Sequence, residues 1–270
     1  MKQALKSSLV FLAVVMLLIA SCSQVAITGR KQFNLVPNSI INSMSFQSYG
    51  QFLSENKLST DARQSQMVKE VGRRIQGAVE RYCVENDLAH RLEGYAWEFN
   101  LVQDPAVNAW CMPGGKVVVY TGLLPVVQDE AGLAVVMGHE IAHAVARHGA
   151  ERMTQGLIVE LGGMALSKAL VNKPAETQNL FMRSYGAGTQ YGVLLPFSRT
   201  HENEADHLGL IFIAMAGYNP AEAVDFWQRM ADAKKDQPQP PELLSTHPAD
   251  ATRIRNIKIL IPEAMKYYKQ

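Results

Sequence analysis

Five consecutive residues, His139-Glu140-Ile141-Ala142-His143, could do chemistry together in this 270-residue chain. On an α-helix, positions i and i+4 share a face. Two imidazoles so placed can hold two corners of a tetrahedral Zn²⁺. Glu140 is displaced by roughly a quarter-turn from His139. It can reach water at the metal without occupying the metal, and so can serve as a general base. The flanks, Leu133 to Gly138 and Ile141 to Val145, are almost wholly apolar. On a buried helix, two histidines and a glutamate would be costly polar groups without a ligand.

A catalytic zinc needs a third protein ligand and an open position. The stretch Ser198-Arg199-Thr200-His201-Glu202-Asn203-Glu204-Ala205-Asp206 offers one. Glu202 and Asp206 are one helical turn apart. Glu202 could bind the metal, while Asp206 accepts the free N–H of a ligand histidine. His201 and His207 are rival ligands. Glu204 is off that face and is expected to be solvated. His148, five residues beyond His143, is expected at a surface helix end, where it favours the helix dipole. His247, in Ser245-Thr246-His247-Pro248, could donate to a tetrahedral oxyanion. It could instead fill the vacant metal position and hold the site off.

These three segments, completed by His-Pro-(four residues)-Arg at 247–253, together resemble metallopeptidase family 48. The resemblance covers about residues 25–260. It implies an α+β, predominantly helical fold of the gluzincin type, with a small antiparallel sheet beside the active-site helix. It implies one Zn²⁺ per chain on His139, His143 and Glu202, with Glu140 as base and Asp206 supporting a ligand. His247 and Arg253 would approach the open side of the metal and stabilise the oxyanion. It also places an Asn-Ala strand where Asn108 and Ala109 stand, so both are candidate substrate contacts. An edge strand there could pair with an extended peptide. The absence of a set of transmembrane helices after residue 22 favours the periplasmic lipoprotein branch of the family over its membrane-embedded members.

Several elements must position these residues. Met67, Val71, Ile75, Val79 and Tyr82 have helical spacing and predict a helix over 62–85. Tyr95 to Val102 alternates as a half-buried strand. Val107–Cys111 and Lys116–Tyr120 read as two more, joined at Met112-Pro113-Gly114-Gly115. Trp110 is expected in the core. Asp129 can cap a helix from about 130 to 148, with Gly149 as its stop. Further helices are expected at about 151–171, 201–216 and 220–234, with a last one starting near Pro248. Residues 172–197, rich in glycine, could form a lid.

The N-terminus reads as a targeting segment. Lys2 and Lys6 precede the apolar run Val10–Ile19, and Ile19-Ala20-Ser21-Cys22 resembles a bacterial lipobox. Residues 1–21 are thus expected to be a signal peptide, with Cys22 lipidated. Residues 22–60 would be a tether and docking arm, and 61–270 the metallopeptidase domain. The expected location is a bacterial envelope membrane, most simply the outer membrane facing the periplasm. Cys83 and Cys111 could form a disulfide in that compartment. Net charge is +1; with Lys2 and Lys6 gone from 26 basic residues and all 25 acidic ones kept, it becomes −1. Such a balance argues against nucleic acid as a partner. The expected function is hydrolysis of misfolded or misassembled envelope proteins. The alternative is a non-proteolytic zinc-containing chaperone or assembly factor.

Overall fold

The computed structural model describes residues 22–25, 27–159, 172–185, 198–233, 243, 247 and 251–269. Short strands β1 (Cys22–Gln24) and β2 (Lys31–Phe33) form an antiparallel hairpin. Two helices follow, α1 (Asn38–Glu55) and α2 (Ala62–Glu85). The Asp61 side chain caps α2 by accepting from the Gln64 amide at 3.0 Å. The tether expected at 22–60 is therefore folded over most of its length. Its polar composition hides Ile41, Tyr49 and Phe52, which are buried along α1.

Strands β3 (Glu98–Val102), β4 (Ala109–Met112) and β5 (Lys116–Tyr120) form one sheet in the order β3-β5-β4. The sheet is mixed, not antiparallel throughout. After β3 the chain reverses and skips one strand position. The turn at Pro113–Gly115 then folds β5 into the gap, antiparallel to β4 and parallel to β3. Gly114 and Gly115 both have positive φ, at 77° and 78°, which this reversal requires. Alternation puts Leu101, Ala109, Cys111, Val117 and Val119 into one core and Trp110, Met112, Val118 and Tyr120 into another. Trp110 is in the core as expected, with Phe52 edge-on at 4.9 Å. Cys83 and Cys111 share the first core but are free thiols, so the expected disulfide is absent. Burial pushes the Cys83 thiol up to about 11, and both pack as small apolar groups.

After a short turn of helix, α3 (Leu124–Val127), comes the central helix α4 (Glu130–Val145), capped by Asp129 onto the Gly132 amide at 2.9 Å. Every residue from Gly132 to Val145 is buried. The helix ends before the expected position. Arg147 takes a left-handed φ of 62°, and α5 (His148–Val159) starts at once in a new direction. Gly149 is not the stop. It is small because a Cβ there would lie 2.2 Å from the Tyr185 ring.

Helices α6 (Pro174–Ser184), α7 (Arg199–Met215), α8 (Glu222–Ala233) and α9 (Ala251–Ala264) complete the described chain. Leu180, Phe181 and Met182 of α6 are buried in the second core, so that part of the expected lid is packed. Residues 186–197, 160–171 and Pro248 lie outside the described residues. Among the described residues, no helix is long and apolar enough to cross a membrane.

Candidate metal centre

Helices α4 and α7 cross at two glycines. A Cβ on Gly209 would stand 3.1 Å from the His139 amide nitrogen and 3.2 Å from the Gly138 carbonyl carbon and oxygen. This close crossing brings Glu202 and Asp206 of α7 against His139 and His143 of α4. The Ser198 side chain starts α7 by accepting from the His201 amide at 3.2 Å.

His139, His143, Glu202 and His247 are all buried and offer ligand atoms within 4.8 Å of one another. The individual spacings are more telling. His139 Nε2 is 3.0 Å from His143 Nε2 and 3.1 Å from His247 Nδ1. Glu202 Oε1 is 3.3 Å from His143 Nε2 and 2.9 Å from His247 Nδ1, and Glu202 Oε2 is 3.5 Å from His139 Nε2. Ligands about 2.0–2.1 Å from a tetrahedral ion are separated by about 3.3 Å along each edge. The donor set therefore fits one small ion, and imidazole nitrogens with one carboxylate suit zinc. His247, expected near the open side, stands among these atoms, where it would supply a fourth corner.

Glu140 stands beside this set, its Oε1 3.4 Å from His247 Nε2. Burial, reinforced by the neighbouring Glu202, raises its carboxyl to about 7 against the opposing pull of His247 and Arg253. Burial likewise holds His143 well below its ordinary value and neutral, the form that ligates. Burial also works against the Glu202 charge, but His247 and Arg253 keep that carboxyl well below the usual range.

Asp206 takes its expected place: Oδ1 is 3.0 Å from His139 Nδ1. Arg253 forks onto Asp206 at 2.7 and 2.9 Å and reaches Glu202 Oε2 at 2.9 Å. Its guanidinium lies 3.4 Å over the Trp227 ring. In this arrangement Arg253 holds two acidic groups of the centre. Asn108 is buried and its Oδ1 accepts from the Ala109 amide at 2.9 Å, while its Nδ2 has no hydrogen-bond partner among the described residues. Ala109 lies on the edge strand β4. Just before that strand, the Val107 carbonyl accepts from the Leu243 amide at 3.1 Å, and the Leu243 carbonyl accepts from the His247 amide at 2.9 Å.

Two expectations are corrected. His148 is fully buried, with Nδ1 2.9 Å from His143 Nδ1 and Nε2 3.0 Å from Glu204 Oε2. Glu204 is buried too, not solvated. An unbroken helix would have turned His148 away from His143; the break at Arg147 turns it back. Nothing in the residue type of Arg147 announces that break. The rival ligands lie elsewhere: His201 pairs with Glu151 at 3.1 Å and His207 with Glu263 at 2.9 Å.

Comparison with known proteins agrees with this geometry. The chain is 34% identical over 202 residues to mitochondrial metalloendopeptidase OMA1 of Saccharomyces cerevisiae, covering 73% of this chain and 55% of that protein. It is 38% identical over 168 residues to its Schizosaccharomyces pombe counterpart, covering 62% and 48%. A beta-barrel assembly-enhancing protease of Yersinia pestis is 31% identical over 182 residues, covering 64% and 37%. The chain thus spans about half the length, or less, of the curated relatives it matches. The family model Peptidase family M48 matches residues 69–261, a span that contains every residue of the donor set, and with it Glu140, Asp206 and Arg253; the chain belongs to that family.

Proposed function

We propose that this chain is a zinc metalloendopeptidase. The observation that carries the reading is the buried donor set, its ligand atoms within 4.8 Å of one another, with a carboxyl on the same helix beside it. A bound zinc ion supplies Lewis acidity, which acidifies water and polarises a carbonyl. The chain's own groups do the rest. Glu140 takes a proton from water and returns it to the leaving amine; its carboxyl near 7 suits transfer in both directions. Asp206 and Arg253 hold His139 and Glu202 in place. Asn108, whose amide nitrogen has no hydrogen-bond partner among the described residues, and Ala109 on edge strand β4 are the proposed contacts for an extended peptide. His247 and Arg253 remain the proposed oxyanion donors once substrate is bound.

One observation favours a second reading of the same site, latency. His247 stands within the candidate donor set, and the backbone at Leu243 is bonded beside the strand a peptide would use. In this reading His247 must leave before a substrate enters.

The substrates we propose are misfolded or misassembled bacterial envelope proteins, cleaved by a chain lipidated at Cys22 and facing the periplasm. The lipobox-like segment supports this, as does similarity to a protease named for β-barrel assembly. The chaperone alternative leaves Glu140 without a task, since a purely structural zinc needs no base. Incubating the full-length chain in detergent with unfolded β-barrel protein and with casein tests the reading. Cleavage abolished by a chelator and restored by zinc supports it; suppression of aggregation without cleavage favours the alternative.

A further inference from the structure

Behind the donor set lies a second polar network, buried at His148 and Glu204 and reaching the surface at Thr28, that the proposed mechanism does not use. It starts at His143 Nδ1, 2.9 Å from His148 Nδ1. His148 Nε2 is 3.0 Å from Glu204 Oε2. Glu204 in turn accepts from Thr28 Oγ1 at 2.5 Å and from Arg30 Nε and Nη2 at 3.0 and 3.1 Å. Arg30 also forks onto Glu151 at 2.9 and 2.8 Å, and Glu151 is 3.1 Å from His201 Nε2. The His201 ring stacks on His148, with centroids 4.5 Å apart and planes 20° off parallel.

Thr28 and Arg30 belong to the hairpin turn between β1 and β2. The same arm is fastened to the end of the active-site helix. Gln32 donates to the Ala146 carbonyl at 2.9 Å, and the Leu35 amide donates to Thr154 Oγ1 at 3.1 Å. Four separate segments thus meet on one imidazole chain.

The hydrogen-bond roles along that chain follow from chemistry. An ionised Glu204 can only accept, so His148 Nε2 carries a proton and donates. Neutral His148 then has a bare Nδ1 that can only accept. His143 Nδ1 must therefore carry the proton, which leaves the lone pair of His143 on Nε2. That is the atom facing His139 and Glu202 at 3.0 and 3.3 Å. The network selects the ligating tautomer and fixes the plane of the ring.

We propose that His148 and Glu204, held by Thr28 and Arg30 of the N-terminal hairpin, position His143 for metal binding, so that the hairpin is a structural part of the metal centre. His148 is a positioning residue, since it touches neither metal nor substrate. The proposal rests on the metal reading given above, and its test separates the two.

The test measures zinc affinity of the full-length chain in detergent by competition with a chromogenic chelator, and the visible absorption of the cobalt-loaded chain. Variants are His148→Ala, Glu204→Ala, Glu204→Gln and Arg30→Ala, with His207→Ala as a control outside the network. Loss of such an outer partner weakens metal binding by about 10–100-fold. That range is expected for His148→Ala and Glu204→Ala, with altered cobalt bands. Glu204→Gln keeps an oxygen that can accept from His148 and should recover most of the loss. Arg30→Ala should weaken zinc binding by a smaller factor, and His207→Ala should match wild type. Wild-type affinity in folded His148→Ala and Glu204→Ala overturns the proposal. Should those variants not fold, His148→Gln, which can accept and donate along the same line, and Arg30→Ala decide: unchanged affinity in Arg30→Ala together with loss in His148→Gln overturns it. No zinc binding by wild type overturns the metal reading itself.

Discussion

The crossing of α4 and α7 at Gly138 and Gly209 makes a quantitative prediction about the metal. Consider Gly209→Ala. Its Cβ would meet the His139 amide nitrogen at 3.1 Å and the Gly138 carbonyl carbon and oxygen at 3.2 Å. Ordinary contact begins near 3.4 Å, and all three atoms are backbone, so none can rotate away. The helices must part by roughly 0.2–0.3 Å, which is about the tolerance of a metal–ligand distance. His139 and His143 ride on one helix and Glu202 on the other, so the strain falls across the donor set. Stability alone is a weak readout. Replacing glycine in a helix gains about 1 kcal/mol, while overpacking costs about 1–3 kcal/mol. The net effect is a loss of about 0–2 kcal/mol. Zinc affinity is the sharper readout. We expect about a tenfold loss, equivalent to about 1.4 kcal/mol, measured by chelator competition. The shift of Tm on adding zinc should shrink in parallel. Unchanged zinc affinity in a folded Gly209→Ala chain would refute the claim that this crossing sets the ligand geometry.

Other predictions use the same geometry. Asp206→Asn replaces the carboxylate 3.0 Å from His139 Nδ1 and should weaken zinc binding by about 10–100-fold, in the same competition assay. His247→Ala separates its two readings by peptide cleavage: a rise in rate means that His247 holds the site closed, a fall means that it assists the reaction. Acid stability should depend on Arg30. Burial alone would raise the Glu151 carboxyl, but Arg30 and His201 hold it down at about 2. A depressed folded pKa gives stability that is present above the unfolded value near 4.3 and is lost as pH falls towards 2, on the order of 3 kcal/mol. Denaturant unfolding should show this loss in wild type. Arg30→Ala should be less stable at neutral pH, and its gap to wild type should narrow below about pH 4.

The candidate donor set was legible because helix geometry pairs His139 with His143 and Glu202 with Asp206, and the family resemblance joined the two pairs. The α2 helix over 62–85 and the Asp129 cap followed from local rules as well. Four features were not legible. The sheet is mixed because β5 inserts between two strands that precede it, and local alternation carries no information on strand order. Helix α1 was obscured by serines, of which Ser45 and Ser48 are buried yet bonded to backbone carbonyls. His148 and Glu204 were misplaced because one left-handed residue, Arg147, rotates everything after it. Cysteine type and compartment suggested a bridge between Cys83 and Cys111, whereas the core uses both as small apolar residues.

The most direct test of the central claim compares wild type with Glu140→Gln for zinc content and casein cleavage in the full-length chain. About one zinc is expected in each, since Glu140 lies outside the candidate donor set. Cleavage should be confined to wild type, with the variant slower by at least about a hundredfold. Equal cleavage by both proteins, or absence of zinc from both, would contradict it.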